Sequence, residues 1–266
     1  MKRNRMDQFH RDLILERNLQ ETLDKGHSVW IVGDIHGYLE EFQELLAKLE
    51  LSHDDMVLCL GDLIDRGPDS QGVLSIVRDS DQIFSIKGNH EHIMSEALSN
   101  NGHRNDFWTG KIGGRATLES MGATEKEQIE KATEWTEFTD RLPTEVILRR
   151  FRFTHSGYSL GTPLDEQTDE QRLKSREVFR AKAPLDPIRQ IVAGHTPVQM
   201  LTNFDVDPPL SGIWRSPVRL KDGRASAVLI DTGIVLRDPG YRPRITAYEL
   251  RTERIEEVER IGQIRT

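Results

Sequence analysis

The sequence predicts an α/β fold whose parallel strands end together at one edge of a sheet. Three short apolar runs, residues 29–32, 56–60 and 83–87, are each followed by a glycine and a cluster of polar residues. Helical patterns separate these runs, which is typical of β-α-β units with parallel strands. Ligands bind at the carboxyl ends of strands in open α/β sheets. The repeated polar clusters therefore predict a functional site at that edge.

The composition is typical of a globular protein that works in water. The 266 residues are 36% hydrophobic and 30% charged, enough for one large domain or two small ones. A net charge of −8 argues against binding the nucleic-acid backbone. The single cysteine, Cys59, cannot form an internal disulfide, and no apolar run is long enough to cross a membrane. We expect a cytoplasmic protein that binds neither nucleic acid nor membrane.

The chain begins with a polar leader, residues 1–27, to which we assign no chemistry. Its apolar residues give a weak helical pattern that would pack on the outside of the domain: Phe9, Leu13, Leu15 and Leu19. The domain itself is predicted over residues 28–252. Between its first two strands, residues 39–49 alternate leucine-rich and glutamate-rich faces, so an amphipathic helix is expected there.

The middle of the chain carries a predicted insertion. Residues 99–142 contain Gly and Asn turns followed by a polar helix, which indicates a small cap. Residues 145–154 are typical of a hairpin that ends at His155. Residues 190–193 are typical of a strand that ends at His195. Both histidines would therefore lie at strand ends, as the earlier polar clusters do.

The last part of the chain mixes strands with irregular segments. Residues 197–225 are rich in Pro, Asp and Gly, which favours a long surface excursion over a buried element. Residues 227–230 and 245–250 are predicted strands. Residues 253–266 are predicted as a charged tail, in which Ile255, Val258 and Ile261 suggest a helix face or a strand.

The predicted strand ends collect nitrogen and oxygen donors and no sulfur: Asp34, His36, Asp62, Asn89, His155 and His195. This donor set suits Mn²⁺, Fe or Zn²⁺, because its imidazoles do not fit an all-oxygen Mg²⁺ or Ca²⁺ site. Two divalent ions beside the carboxylates Asp34 and Asp62 would leave the site positive. A phosphate dianion would complement that charge, and the ions would lower the pKa of a bridging water.

Each of these motifs alone has an ordinary structural interpretation. A Gly-Asp pair is usually a turn, and a histidine at a strand end is usually a satisfied structural residue. GDLIDRG and GNHE are more specific, because each places a candidate ligand beside a residue that the chemistry needs. Asp231 and Gly233 are interpreted as turn residues at the edge of the site. The remaining histidines are interpreted as surface residues: His10, His27, His53, His92 and His103.

Five segments in this order resemble the motifs of the calcineurin-like metallophosphoesterases: GDIHG, GDLIDRGPDS, GNHE, HSG and GHTP. They are most similar to the phosphoprotein phosphatase branch, which includes bacterial and phage Ser/Thr phosphatases. Pro197 in GHTP supports that branch, since many other metallophosphoesterases have a second histidine there. The resemblance implies a four-layer α/β/β/α fold, in which a central β-sandwich is flanked by helices and carries a small helical cap.

The resemblance also implies roles for the candidate residues. Asp34 and His36 would bind one metal ion, and Asp62 would bridge to a second ion. The further ligands of that second ion would be Asn89, His155 and His195. The two ions would be divalent, Mn²⁺ first, with Fe or Zn²⁺ as alternatives. The hydroxide that bridges them would be the nucleophile.

Further residues would act on the substrate. Arg66 would hold the phosphate as a bidentate fork, and His90, oriented by Asp65, would protonate the leaving alkoxide. Asn89 is a further candidate for a phosphate contact. A second phosphate-binding arginine, common in the family, matches Arg180 best, with Arg176 as the next choice.

The favoured function is a metal-dependent phosphomonoester hydrolase that acts on phosphoserine or phosphothreonine, in a phosphoprotein or a small phosphoester. The alternative is a symmetrical dinucleoside polyphosphate hydrolase. Those enzymes usually have GNHD and lack the aspartate before the arginine, whereas this chain has Glu91 and Asp65. A non-catalytic phosphate-binding scaffold is a remote alternative, because such proteins lose metal ligands. The sequence leaves the oligomeric state open.

Overall fold

Two mixed five-stranded sheets form the centre of the protein in a computed structural model, which describes residues 10–99 and 105–261. The strands of the described residues are β1 (Val29–Val32), β2 (Met56–Cys59), β3 (Ile83–Ser85), β4 (Glu145–Ile147), β5 (Phe151–Thr154), β6 (Gln190–Ala193), β7 (Trp214–Arg215), β8 (Ala227–Leu229), β9 (Arg244–Glu249) and β10 (Ile255–Glu259). The first sheet has the order β10-β9-β1-β2-β3, and the second has the order β4-β5-β6-β8-β7.

Parallel pairing gives each sheet one edge at which several strands end. In the first sheet β1, β2 and β3 are parallel, and in the second β5, β6 and β8 are parallel. The predicted hairpin is present as the antiparallel pair of β4 and β5. The predicted α/β class and the two-sheet architecture are therefore confirmed.

Helices cover the sheets. The α-helices of the described residues are α1 (Leu13–Asp24), α2 (Leu39–Leu49), α3 (Ser70–Asp79), α4 (Asn89–Ser99), α5 (Asn105–Phe107), α6 (Gly114–Met121), α7 (Glu125–Thr139) and α8 (Asp169–Lys174). A π-helix spans Trp108–Ile112, and 3₁₀ turns span Leu164–Glu166, Val178–Arg180, Val198–Phe204 and Pro239–Tyr241. None of these helices is long and apolar enough to cross a membrane.

Three apolar clusters separate the layers. Side chains of both sheets, among them Ile31 and Val192, meet in a core between the sheets. The outer face of the first sheet packs on α2, α3 and the cap helices, for example through Phe42. The outer face of the second sheet packs on the turns Val178–Arg180 and Val198–Phe204. Burial of these faces supplies the main driving force for the layered fold.

The leader and the tail contribute to the domain. Helix α1 begins at an N-cap, Asp12, whose carboxylate accepts from two backbone N–H groups. Leu15 and Leu19 are buried in the core between the sheets, which is deeper than the outside packing that the sequence suggests. Residues 1–9, with Phe9, lie outside the described residues. The predicted charged tail contains β10, and its Val258 is buried under α2 and β9.

The expected surface excursion at residues 197–225 is partly buried, so that expectation is wrong for this segment. Leu201 packs in the cluster on the second sheet, and Trp214 lies in β7 at the edge of that sheet. Ile213 reaches the core between the sheets. Isolated apolar residues among prolines and glycines give no periodic pattern, and this explains why the sequence does not reveal a short edge strand here.

Candidate active site

The predicted site residues meet where strands of the two sheets end. Asp34, Asp62 and Asn89 follow β1, β2 and β3, while His155 and His195 follow β5 and β6. Metal-ligand atoms of His36, Asp62 and His90 lie within 4.8 Å of one another. The same holds for Asp62, His155 and His195, so Asp62 belongs to both groups. The structure therefore brings together side chains that are up to 161 residues apart in the chain.

The first group is held by backbone carbonyls and carboxylates. His36 Nδ1 lies 2.9 Å from the carbonyl oxygen of Ile64, which can only accept, so Nδ1 donates and Nε2 keeps its lone pair. That Nε2 lies 3.7 Å from Asp62 Oδ2 and 3.9 Å from Asp34 Oδ2. Burial lowers the pKa of His36 well below its usual range, with further lowering by Arg66 and His90. A neutral imidazole with a free Nε2 is the form that binds a metal ion.

The second group has the same design. His155 Nδ1 lies 2.7 Å from the carbonyl oxygen of Leu60, and its Nε2 lies 2.9 Å from Asn89 Oδ1 and 3.1 Å from His195 Nδ1. His195 itself is positioned by its backbone N–H, which donates to Asp34 Oδ1 at 2.9 Å. Because these donor atoms converge on one another, they fit a shared cation.

Electrostatics support the fit to cations. Burial raises the pKa of Asp34 well above its usual range, and Asp231 and Asp62 add to that shift. Burial lowers the pKa of His155, but the carboxylates of Asp62 and Asp34 raise it to about 10. The buried carboxylates thus favour positive charge at His155, whereas burial lowers the pKa of His195 well below its usual range, as it does for His36. Divalent ions would supply that charge, and the nitrogen and oxygen donors suit them.

Asp231 is more than a turn residue at the edge of the site. It accepts a hydrogen bond from the N–H of Gly233 at 2.8 Å, as the turn interpretation expects. It is also buried and close enough to influence Asp34. Burial raises the pKa of Asp231 to about 6, and Asp62 contributes to this shift. The sequence signal was present, since Asp231 directly follows an apolar strand like the other strand-end residues.

A second constellation lies beside the first. His90 Nδ1 lies 2.7 Å from Asp65 Oδ2, and both side chains are buried. His90 Nε2 lies 3.8 Å from Asp62 Oδ2 and 3.2 Å from Arg66 Nη2. Arg66, in contrast, is exposed to solvent. Arg66 and His90 Nε2 can therefore meet an anion beside Asp62, while Asp65 holds His90 from its Nδ1 side.

Glu91 has a structural role that the sequence does not reveal. Its carboxylate accepts from the backbone N–H groups of Asp62 at 3.0 Å, Leu63 at 2.8 Å and Gly88 at 2.8 Å. The residue is fully buried, and burial raises its pKa, as does Asp62. Glu91 thereby ties the loop after β2 to the loop after β3. A side chain added at Gly88 would collide with Asp62, which explains the glycine.

The structure places Arg176, and not Arg180, at the site. Burial lowers the pKa of Arg176, while Asp231, Asp34 and Asp62 oppose the shift, so the guanidinium lies within electrostatic reach of the site. Its Nη1 donates to Thr196 Oγ1 at 3.2 Å, next to His195. Arg180 is exposed in the 3₁₀ turn Val178–Arg180 and lines a surface cavity. The position of Arg176 therefore favours the next choice of the sequence over Arg180 as the second phosphate-binding arginine, whose role stays a prediction.

The remaining histidines lie away from these groups. His10 and His53 are exposed, and His27 is half-buried beside Asp54. His92 is also half-buried and lies 3.8 Å from Glu96 on the same helix, so it is less exposed than a surface interpretation implies. His103 lies outside the described residues.

Comparison with known proteins agrees with this geometry. The sequence profile of the calcineurin-like phosphoesterases matches residues 27–230. Serine/threonine-protein phosphatase 2 of Salmonella typhimurium is 29% identical over 192 residues, 68% of this chain and 85% of that protein. Serine/threonine-protein phosphatase 1 of the same species is 41% identical over 70 residues, 26% of this chain and 32% of that protein. The symmetrical bis(5'-nucleosyl)-tetraphosphatase of Pectobacterium atrosepticum is 41% identical over 71 residues, 26% of this chain and 25% of that protein.

In the last two comparisons the chain spans about a third or a quarter of the relative's length, namely 32% and 25%. Solved structures share the fold over most of the chain. A candidate diadenosine tetraphosphatase superposes with a TM-score of 0.59 at 18% identity, covering 88% of this chain and 94% of that one. A metallophosphoesterase from Sphaerobacter thermophilus gives a TM-score of 0.50 at 18% identity, covering 89% and 88%.

Proposed function

Because this chain belongs to the calcineurin-like phosphoesterase family, we propose that it is a metal-dependent phosphomonoester hydrolase that acts on phosphoserine and phosphothreonine in proteins. The observation that carries this proposal is the buried Asp65–His90 pair, 2.7 Å apart, beside Asp62 and Arg66. Serine and threonine alkoxides are poor leaving groups, and a proton donor at that position can protonate the leaving oxygen. Small phosphoesters with the same leaving group are expected to be substrates too.

We propose that two divalent ions occupy the site, Mn²⁺ first, with Fe or Zn²⁺ as alternatives. Asp34, His36 and Asp62 would hold one ion. The other would be held by Asp62, Asn89, His155 and His195. When bound, the ions neutralise phosphate charge and activate water for attack at phosphorus.

The protein's own residues position the substrate and handle the proton. Arg66 holds two phosphate oxygens as a planar fork, and Arg176 approaches from the second sheet. Asn89, whose Oδ1 lies 2.9 Å from His155 Nε2, would be a further phosphate contact. His90 donates a proton from Nε2 to the leaving serine or threonine oxygen. Asp65 accepts from Nδ1 and keeps the ring in the orientation that this transfer needs.

The composition also limits the expected partners. The net charge of −8 disfavours nucleic acid as a partner. We propose that the substrate is a phosphoprotein and that the protein acts on it in the cytoplasm.

Hydrolysis of symmetrical dinucleoside polyphosphates is the second candidate function. It is favoured by the 41% identity, over 71 residues, to the tetraphosphatase of Pectobacterium atrosepticum. The presence of Asp65 and Glu91 supports the protein phosphatase instead, because the resemblance associates the other enzyme with GNHD and no such aspartate.

Side-by-side phosphate release separates these functions. The Mn²⁺-loaded protein would be given a phosphoserine peptide and diadenosine tetraphosphate at equal concentrations. We expect the larger kcat/KM with the phosphopeptide. A clear preference for the dinucleotide would replace the first proposal with the second. Tight binding of the phosphopeptide without turnover would instead identify a scaffold.

A further inference from the structure

We propose that the cap positions the general acid: Trp108 and Thr117 fix the Asp65 carboxylate and thereby set the orientation of the His90 ring. The cap here means described residues 105–142. This inference rests on the proposed function for the role of His90. Neither Trp108 nor Thr117 reaches the reacting atoms, so both are positioning residues.

The contacts on Asp65 come from three directions. Trp108 Nε1–H points at both carboxylate oxygens, at 3.1 Å each. Thr117 Oγ1 donates to Oδ1 at 2.6 Å, and His90 Nδ1 lies 2.7 Å from Oδ2. The four side chains are almost completely shielded from water. Because water cannot replace a lost partner there, rotation of the carboxylate would break several buried hydrogen bonds together.

Thr117 also fixes the backbone of Asp65. Its Oγ1 accepts from the Asp65 N–H at 2.9 Å and lies 3.0 Å from Ser70 Oγ. Asp65 has a φ of 73°, a conformation that residues with a side chain rarely adopt. One hydroxyl from the cap thus secures both the main chain and the side chain of this residue.

The same segment of the cap holds the phosphate arginine. Arg66 donates from its backbone N–H to the Gly113 carbonyl at 3.2 Å and from Nε to the Ile112 carbonyl at 3.3 Å. Gly113 has a φ of 106°, and a Cβ there would lie 2.7 Å from Arg66 Cγ. A Cβ at Gly114 would overlap the Trp108 ring. The order Trp, Gly-Gly, Thr in residues 108–117 is therefore explained by contacts to Asp65 and Arg66.

The cap contains its own controls for a purely structural role. Trp135 and Thr139 are as buried as Trp108 and Thr117, at 3% and 0% exposure. Trp135 Nε1 and Thr139 Oγ1 have no hydrogen-bond partner among the described residues. Replacement of these two side chains removes the same groups from the same cap without touching Asp65.

The test uses leaving groups of different acidity. Trp108→Phe and Thr117→Val would be compared with Trp135→Phe and Thr139→Val on a phosphoserine peptide and on p-nitrophenyl phosphate. A nitrophenolate departs with little help from an acid, whereas a serine alkoxide needs the proton. Since general acid catalysis contributes ~100-fold to ~10,000-fold, we expect kcat on the peptide to fall about 10- to 100-fold in the first pair. The aryl phosphate should lose roughly threefold or less.

Thr117→Ser should restore the peptide activity, because it keeps the hydroxyl. Metal content and thermal unfolding would be measured for every variant. Equal losses on both substrates, or equal losses in the Trp135 and Thr139 variants, would overturn the inference.

A second measurement is independent of the substrate. The proton between His90 Nδ1 and Asp65, which lie 2.7 Å apart, should give a downfield NMR resonance, which His90→Asn would identify. We expect it to shift and to exchange faster in Trp108→Phe and Thr117→Val, and to stay unchanged in the control variants. An unchanged resonance in all four would refute the inference. Failure of the wild-type protein on phosphoserine would refute the proposed function alone, since the resonance would still report on the cap.

Discussion

Several side chains of the site extend from backbone that is unfavourable for any residue except glycine. The φ angles of His36, Asp62, Asp65, Arg66 and His195 lie between 49° and 73°. Each such conformation costs about 1–3 kcal/mol and persists only when its surroundings impose it. The N–H of His36, for example, donates to the Asp62 carbonyl at 2.8 Å. These local turns direct the side chains across the strand ends. The protein therefore gives up folding stability at the positions where the chemistry requires a particular side-chain orientation.

His90→Asn should separate acid catalysis from metal binding. Because the Arg66 guanidinium lies 3.2 Å from His90 Nε2, where a metal ion would have to bind, we expect metal content to stay near that of the wild type. Turnover of a phosphoserine peptide should fall by ~100-fold to ~10,000-fold, the usual contribution of a general acid. Atomic emission spectroscopy and phosphate release would measure the two effects. The geometry also groups His90 with His36 and Asp62, so parallel loss of metal and activity would identify it as a ligand.

Arg176→Ala should impair phosphate recognition, and Arg180→Ala should not. A hydrogen bond to a charged group contributes about 1.5–3 kcal/mol, so we expect kcat/KM to fall roughly 10- to 100-fold for Arg176→Ala. Arg180, exposed in the neighbouring turn, is the matched control. Steady-state kinetics on a phosphoserine peptide would check both. Comparable losses in the two variants would show that charge near the entrance matters and not a contact from Arg176.

At the scale of elements, the loops after β2 and β3 behave as one unit because Glu91 at the start of α4 bonds to both. Glu91→Gln keeps the shape of the side chain but replaces one accepting oxygen by a donor. At least one buried N–H then loses its acceptor, which costs about 1–3 kcal/mol. We expect a lower thermal midpoint, measured by circular dichroism, and reduced metal affinity.

Glu119→Gln, an exposed substitution in α6, is the control for the change of charge. Equal midpoints for both variants and the wild type would show that the Glu91 contacts contribute little to stability.

The elements differ in how far the sequence reveals them. The strands β1, β2 and β3 are predictable because continuous apolar runs end at glycines, and the strand-end donors follow from that. β7 and β10 are short edge strands in which only Trp214 and Val258 are well buried. Their charged neighbours interrupt the apolar pattern by which a strand is recognised in the sequence. The roles of Glu91, Trp108 and Thr117 depend on contacts between distant segments. No local sequence pattern encodes such contacts, so the residues that support the site could be identified only from the structure.

At the scale of the whole molecule, the candidate metal ligands come from both sheets. Asp34 and Asp62 follow strands of the first sheet, while His155 and His195 follow strands of the second. Bound ions would therefore link the two layers and stabilise the folded state by mass action. At a metal concentration of about 100 times Kd, the gain is about 2.7 kcal/mol. That corresponds to a rise in Tm of roughly 5–10 °C for a protein of this size.

Differential scanning fluorimetry with Mn²⁺ and with EDTA would measure this rise. His195→Ala should reduce it, because one ligand of the second sheet is gone. A Tm that does not respond to Mn²⁺ would contradict the assignment of these residues as ligands.

The strand order of the first sheet also determines when the fold can be completed during synthesis. The central strand β1 pairs on one side with β2 and on the other with β9, residues Arg244–Glu249. All four residues of β1 are buried in the finished protein. While the ribosome is still translating the second sheet, β1 therefore has one apolar edge without its partner, and such edges promote aggregation. The nascent chain depends on its last strands to close this edge, long after the first ligands of the site have been made.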